Sequence, residues 1–167
     1  MKGSVTNVVL AGLGGQGVMK ASDILADAVF AAGYDVKKSE VHGMSQRGGS
    51  VTSDVRFGAT VLSPMVPRGE ADILVVLTAD QVAMNRPLLA SGGLLLSADM
   101  VDGCAVPNRR CMNVAMLGVL ATCLDVDEAH WLSAIRANLP ATYHGVNEEA
   151  FALGQAAGRA RFSQTED

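Results

Sequence analysis

Residues 5–12, VTNVVLAG, end on the first glycine of GLGGQG, and a helix-periodic run, VMKASDILADAVFAAG, begins at residue 18. This order constrains the fold more than any other feature of the chain. The first run is β-branched and almost continuously apolar, as a strand buried on both faces of a parallel sheet reads. In the helix-periodic run, Val18, Ala21, Ile24, Leu25, Ala28 and Val29 recur at helical spacing, and Gly33 stands where a C-terminal cap belongs. A buried strand joined through a glycine turn to an amphipathic helix points to an α/β sheet.

The remainder continues the alternation. YDVKKSEV (34–41) predicts a second strand, and SVTSDVRFG (50–58) a third, with alternation through Val51, Ser53 and Val55. Pro64 and Pro67 mark a loop. ADILVVL (71–77) reads as a buried strand, ADQVAMNRPLLA as a short helix interrupted at Pro87, and GGLLLSA (92–98) as another strand. After residue 98 strand character is lost, and helices are predicted over 108–124, 126–139 and 147–162. Asp127 suits an N-cap, and Asn147 with Glu148 and Glu149 matches the charge favoured at a helix start. The expected fold is α/β: an open, mostly parallel Rossmann-like sheet with flanking helices and a helical C-terminal portion. At 167 residues the chain has the length of one domain, spanning 1–167.

Composition narrows the function. A hydrophobic share of 49% against 18% charged describes a globular chain. The net charge of −4, the lack of a dense Lys/Arg run and only 4% aromatic residues argue against a nucleic-acid partner. No apolar run approaches the roughly 18 residues a membrane span needs. The opening MKGSVTNVVLAG reads as a first strand rather than a signal peptide, so a cytoplasmic location is expected. Cys104, Cys111 and Cys123 are odd in number and lack C-x-x-C spacing. They read as free thiols, with no metal or iron–sulfur site held by this chain alone.

Two loops carry the chemistry. Gly12, Gly14 and Gly17 form G-x-G-x-x-G, with Gly15 and Gln16 between the last two. In a strand–turn–helix setting these glycines let a phosphate approach backbone N–H groups at the helix start; the alternative is that they only let the helix pack closely on the strand. A dinucleotide site also wants an acidic residue at the end of the second strand, where Glu40 stands. The second loop, SEVHGMSQRGGSV (39–51), gathers Glu40, His42, Gln46, Arg47 and Ser50 among Gly43, Gly48 and Gly49. Both loops are predicted at the carboxyl ends of their strands, the edge along which open α/β sheets bind ligands, so they are expected to face one crevice. There the Arg47 guanidinium and backbone N–H groups would grip an anion, with Gln46 as donor and acceptor. Glu40 and Arg47 paired together, as a structural clasp, is the other reading. His42 is either structural or reaches toward a partner's site. His130 and His144 read as structural, Met44, Met112 and Met116 as packing, and Arg109 and Arg110 as solvated or facing a partner. No nucleophile elbow, H-E-x-x-H or Walker motif is present, so no self-sufficient catalytic constellation stands in the sequence.

GLGGQGV (12–18), SEVHGMSQRGGSV (39–51), the Ser63–Pro64 pair, NVAMLG (113–118) and NEEAFALG (147–154) resemble the gamma subunit or domain of 2-oxoacid:ferredoxin oxidoreductases. The likeness is greatest to the beta subunit of the indolepyruvate enzymes. The resemblance implies an enzyme subunit that is inactive alone. The complex would decarboxylate a 2-oxoacid, such as indolepyruvate or pyruvate, form an acyl-CoA and pass electrons to ferredoxin. It places thiamine diphosphate and iron–sulfur clusters on a partner alpha subunit, makes coenzyme A a co-substrate, and admits a homodimeric arrangement within the complex. The gamma domain would shape the coenzyme A and docking side of the site. The family pattern also implies a further strand and helix after LLLSA, where this chain has only DMVDGCAVPNRRCM, so the sheet is expected to lack a strand. Two other functions remain open on the residues alone: an autonomous NAD-binding dehydrogenase and a non-catalytic assembly module.

Overall fold

The structure is a computed structural model that describes residues 4–43, 48–102 and 105–164. Five strands form one sheet in the order β2-β3-β1-β4-β5. They are β1 (Thr6–Leu13), β2 (Asp35–His42), β3 (Ser50–Gly58), β4 (Ala71–Val76) and β5 (Leu89–Ser97). β1 and β4 pair in parallel, as do β4 and β5, while β3 runs antiparallel to both β1 and β2. Four strands therefore share one direction and β3 alone opposes them, which gives the expected open, mostly parallel sheet one reversed strand. The reversal has a local cause. β2 and β3 form a hairpin, in register from Asp35 opposite Gly58 to His42 opposite Val51.

The helices are α1 (Val18–Ala31), the single turn α2 (Val82–Asn85), α3 (Met112–Ala121), α4 (Glu128–Asn138) and α5 (His144–Ser163). α1 lies across β1, β2 and β3, while α3 meets β5. One face of the sheet, with Val8, Leu10, Val55 and Val75, buries itself under these helices. The opposite face, with Val9, Ala11, Leu74 and Val76, lies under Val66, Val82 and Leu88. β1 is buried from both sides, as its continuous apolar run requires.

α1 ends as its sequence predicts. Gly33 takes φ +94°, its N–H donates to Phe30 O, and the Tyr34 N–H reaches back to Val29 O, a Schellman closure. The last helix, α5, is corrected at its start. It begins at His144, so Asn147 is not a cap but a buried residue whose Nδ2 donates to Tyr143 O. Glu148 instead meets Arg136 of α4 across the helix pair, at 2.6 Å. The Pro87 segment is a chain of short turns, Ala79–Gln81, α2 and Arg86–Leu88, rather than one interrupted helix. No strand forms among the described residues between β5 and α3, where the three-residue turns Ala98–Met100 and Arg109–Cys111 stand instead. Among the described residues no helix is long and apolar enough to cross a membrane.

α3 and α5 cross at two glycines. A Cβ on Gly118 would overlap the Phe151 carbonyl oxygen, and one on Gly154 would overlap that of Ala115. This close crossing brings Met116, Leu117, Trp131 and Phe151 together in the core. It also fixes α3, whose first turn leads to the functional edge.

Candidate functional site

The two polar loops do meet. β3 places Ser50 opposite Leu13 and Val51 opposite Gly12, so the exit of the second loop lies against the first. The Gly14 N–H donates to Gly49 O at 2.9 Å, and the Gly43 N–H donates to Ser50 O at 2.7 Å. The first bond corrects one expectation: Gly14 cannot offer its N–H to an anion, because the neighbouring loop already holds it. Gly48 adopts φ +64° on the same edge. Gln46 and Arg47 lie outside the described residues.

Local bonds define the glycine loop. The Gln16 N–H donates to Leu13 O, while the Leu13 N–H donates to Gln16 Oε1 at 2.8 Å, so the Gln16 side chain closes its own turn. Gly15, at φ +87°, occupies the place in that turn where a left-handed residue is needed. Gly12 is closed in by Gln16 and Leu77, where a Cβ would stand 2.8 Å from Gln16 Oε1. Gly17 then begins α1 at φ +80°, with no side-chain cap and no acidic residue in the first turn. The N–H groups of Gly15 and Gly17 have no acceptor among the described residues. Those two glycines are the loop's available donors.

A crevice of about 740 Å³ opens on this edge, lined by Gly15, Gln16 and Gly17 of the glycine loop and by Arg109, Arg110 and Met112 at the approach to α3. Thr78, Ala98 and Asp102 complete its wall. Asn113, buried in the first turn of α3, joins the two segments. Its Nδ2 donates to Gly17 O at 3.2 Å and its Oδ1 accepts from the Val114 N–H at 2.9 Å. The arginines, expected to be solvated or to face a partner, are functional candidates that sequence reasoning did not place beside the glycine loop. The N-R-R run before a helix reads as solvated or partner-facing surface, because only the tertiary fold brings residue 109 to the same crevice as residue 17.

A second hollow of about 530 Å³ lies on the α1 side of the same loop and includes Gly14, Met19, Lys20, Asp23 and His42. His42 is exposed there, with Nε2 3.9 Å from Glu40 Oε2. Glu40 itself is held from below: Lys38 Nζ donates to Glu40 Oε1 at 2.7 Å, to Ser22 Oγ at 3.1 Å, and to Asp23. All three ammonium donors are therefore used. This cluster also removes the residue a dinucleotide site needs. β3 intervenes between β1 and β2, which places the β2 end two strand spacings, about 10 Å, from the glycine loop.

Burial lowers the Lys38 pKa, but the hydrogen bonds and charges of Asp23 and Glu40 outweigh that effect and hold it above the ordinary 10.5. A raised folded-state pKa contributes stability that is complete below the unfolded value and is lost as pH rises through the folded one. Lys38→Met is expected to destabilise the chain at pH 7 by about 1–3 kcal/mol, toward the lower end because the ammonium remains partly exposed. It is also expected to flatten the loss of stability above pH 10.5. Urea unfolding of both proteins from pH 7 to 11 measures this; an alkaline limb identical in the two would remove Lys38 as its source.

The profile of the pyruvate ferredoxin/flavodoxin oxidoreductase family matches residues 7–107, which carry β1 to β5 and both loops. The chain belongs to that family. Indolepyruvate oxidoreductase subunit IorB of Thermococcus kodakarensis is 44% identical over 91 residues, covering 54% of this chain and 45% of the relative. The Archaeoglobus fulgidus subunit of the same name is 48% identical over 90 residues, 54% of this chain and 44% of the relative. The match thus spans less than half the length of these relatives. The fold is shared with the gamma subunit of a keto/oxoacid ferredoxin oxidoreductase from Geobacter sulfurreducens. That likeness has TM-score 0.78 and 21% identity, over 94% of this chain and 98% of that one. A 2-oxoglutarate:ferredoxin oxidoreductase from Magnetococcus marinus superposes with TM-score 0.79 and 18% identity, over 93% of this chain but 31% of its own. The fold thus makes up nearly all of one of these solved chains and about a third of the other.

Proposed function

We propose that this chain is the non-thiamine-binding subunit of a 2-oxoacid:ferredoxin oxidoreductase acting on indolepyruvate or a related aryl pyruvate. The reaction is oxidative decarboxylation: 2-oxoacid, coenzyme A and oxidised ferredoxin give acyl-CoA, carbon dioxide and reduced ferredoxin. The observation that carries the reading is the meeting of the two family loops, through Gly14 and Gly49, beside an arginine-lined crevice on the carboxyl edge of the sheet. The names of the IorB relatives support the aryl substrate.

Thiamine diphosphate and the iron–sulfur clusters belong, on this reading, to a partner alpha subunit. The described residues do not fit a cluster, since no three of their His, Cys, Asp and Glu side chains gather as a metal site. Cys111 is buried in the core and Cys123 half-buried; burial pushes both thiols above their ordinary pKa, away from the thiolate form that iron needs. The chain's own part is to bind and orient. The loop region containing Glu40, His42, Gly43, Gln46, Arg47, Gly48, Gly49 and Ser50 faces the partner's reacting centre, and the glycine loop receives coenzyme A. The complex is cytoplasmic, and residues 1–167 act in it as one gamma-type domain.

The test is an anaerobic pull-down of the tagged chain from its native cell. A stoichiometric partner carrying thiamine diphosphate and iron is expected, with indolepyruvate oxidation by the pair and none by this chain alone. Oxidation by the chain alone, or a partner without either cofactor, overturns the proposal.

A further inference from the structure

We infer that Arg109 and Arg110 form the subsite for a terminal phosphate monoester, in the crevice that they line together with the glycine loop. The inference rests on the reading that this crevice receives coenzyme A, and it specifies which end of the ligand goes where. Both guanidinium-bearing residues line the crevice, and neither is ion-paired with a carboxylate of the described residues. Asp102 shares the wall, so one acidic group stands against two fixed positive charges. Local structure holds the pair: Asn108 Oδ1 accepts from the Arg110 N–H at 3.0 Å, which sets the turn that presents both side chains.

The two walls differ in chemistry. The glycine wall offers the neutral N–H groups of Gly15 and Gly17, suited to an internal diphosphate, whose two phosphoryl groups carry one charge each. The arginine wall offers two permanent cations with forked donors, suited to a phosphate monoester near its second ionisation. Asn113 joins the walls through Gly17 O, so their separation does not vary freely. A ligand with an internal diphosphate and a terminal phosphate monoester satisfies both walls at once, and coenzyme A is such a ligand.

Dephospho-coenzyme A keeps the diphosphate and lacks the monoester, so it isolates the second wall. With the complete complex and its 2-oxoacid, KM is measured for both forms of the co-substrate. The wild type is expected to favour coenzyme A by about 10- to 100-fold, the scale of one or two charge-assisted contacts. In Arg109→Gln/Arg110→Gln that ratio is expected to collapse toward one, chiefly through a higher KM for coenzyme A, and the Lys pair at the same positions to restore part of it. A wild type that does not distinguish the two forms overturns the inference, as does a ratio retained in the double Gln variant. A complex that oxidises its 2-oxoacid without using either form instead overturns the coenzyme A reading on which the inference rests.

Discussion

Gly154→Ala is expected to destabilise the chain by about 2 kcal/mol or more, although alanine is the better helix former. Two effects compete. In an exposed helix the substitution stabilises by up to about 1 kcal/mol, because glycine loses more backbone freedom on folding. At Gly154 the added methyl would overlap the carbonyl oxygen of Ala115 in α3, an atom of the backbone that no rotamer change can move aside. The helices must separate instead, and that opens the packing of Met116, Leu117 and Phe151, all of which are fully buried. Overpacking of this kind costs about 1–3 kcal/mol when side chains yield, and more when the backbone has to. Gly145, in the first turn of the same helix with open space around it, is the control, since there the propensity effect acts alone. The measurement is the urea midpoint of both variants. A Gly154→Ala protein at least as stable as wild type would show that α3 and α5 do not cross as closely as described.

Much of this fold is legible in the sequence because its signals are local. VTNVVLAG is apolar on both sides because β1 is buried on both faces, and Gly33 and Tyr34 close α1 through bonds to residues three and five positions back, respectively. The close approach of the two loops follows from strand direction alone. The features that escape have non-local causes. β3 opposes its neighbours because it returns from a hairpin, and nothing within SVTSDVRFG itself specifies direction. Asn147 looks like a helix start because Glu148 and Glu149 follow it, yet Glu148 serves Arg136 of another helix. Arg109 and Arg110 carry no motif, and α3 brings them to the glycine loop across more than 90 residues of chain, a separation measured by the Asn113–Gly17 bond at |i−j| = 96. The signal of that contact in the sequence is the polar residue Asn113. An asparagine one place into an otherwise apolar helix must satisfy its amide somewhere.

Gly17→Ala tests that coupling directly, and a large loss is expected from it. Gly17 sits at φ +80°, where an alanine costs about 1–2 kcal/mol. Its Cβ would also overlap the Asn113 amide nitrogen, which must swing away and abandon its bond to Gly17 O. A buried amide left without a partner costs about 1–3 kcal/mol more, so the single substitution should remove about 2–5 kcal/mol of stability. Asn113→Ala alone gives up the same bond and the Val114 contact without straining the loop. Because Gly17→Ala has already broken that bond, and Asn113→Ala relieves the overlap, the two losses should not add. The double variant is expected to be more stable than their sum by about 1 kcal/mol or more. Unfolding free energies of the four proteins close the cycle. Strict additivity would mean that Asn113 and Gly17 do not meet, and the two walls of the crevice would then lose the contact that holds them at a fixed separation. Functional consequences follow from the same contact. On the proposal that the crevice receives coenzyme A, each single variant should raise KM for it in the assembled complex more than it lowers kcat, because the donors at Gly15 and Gly17 lose their alignment with Arg109 and Arg110 before the fold is lost.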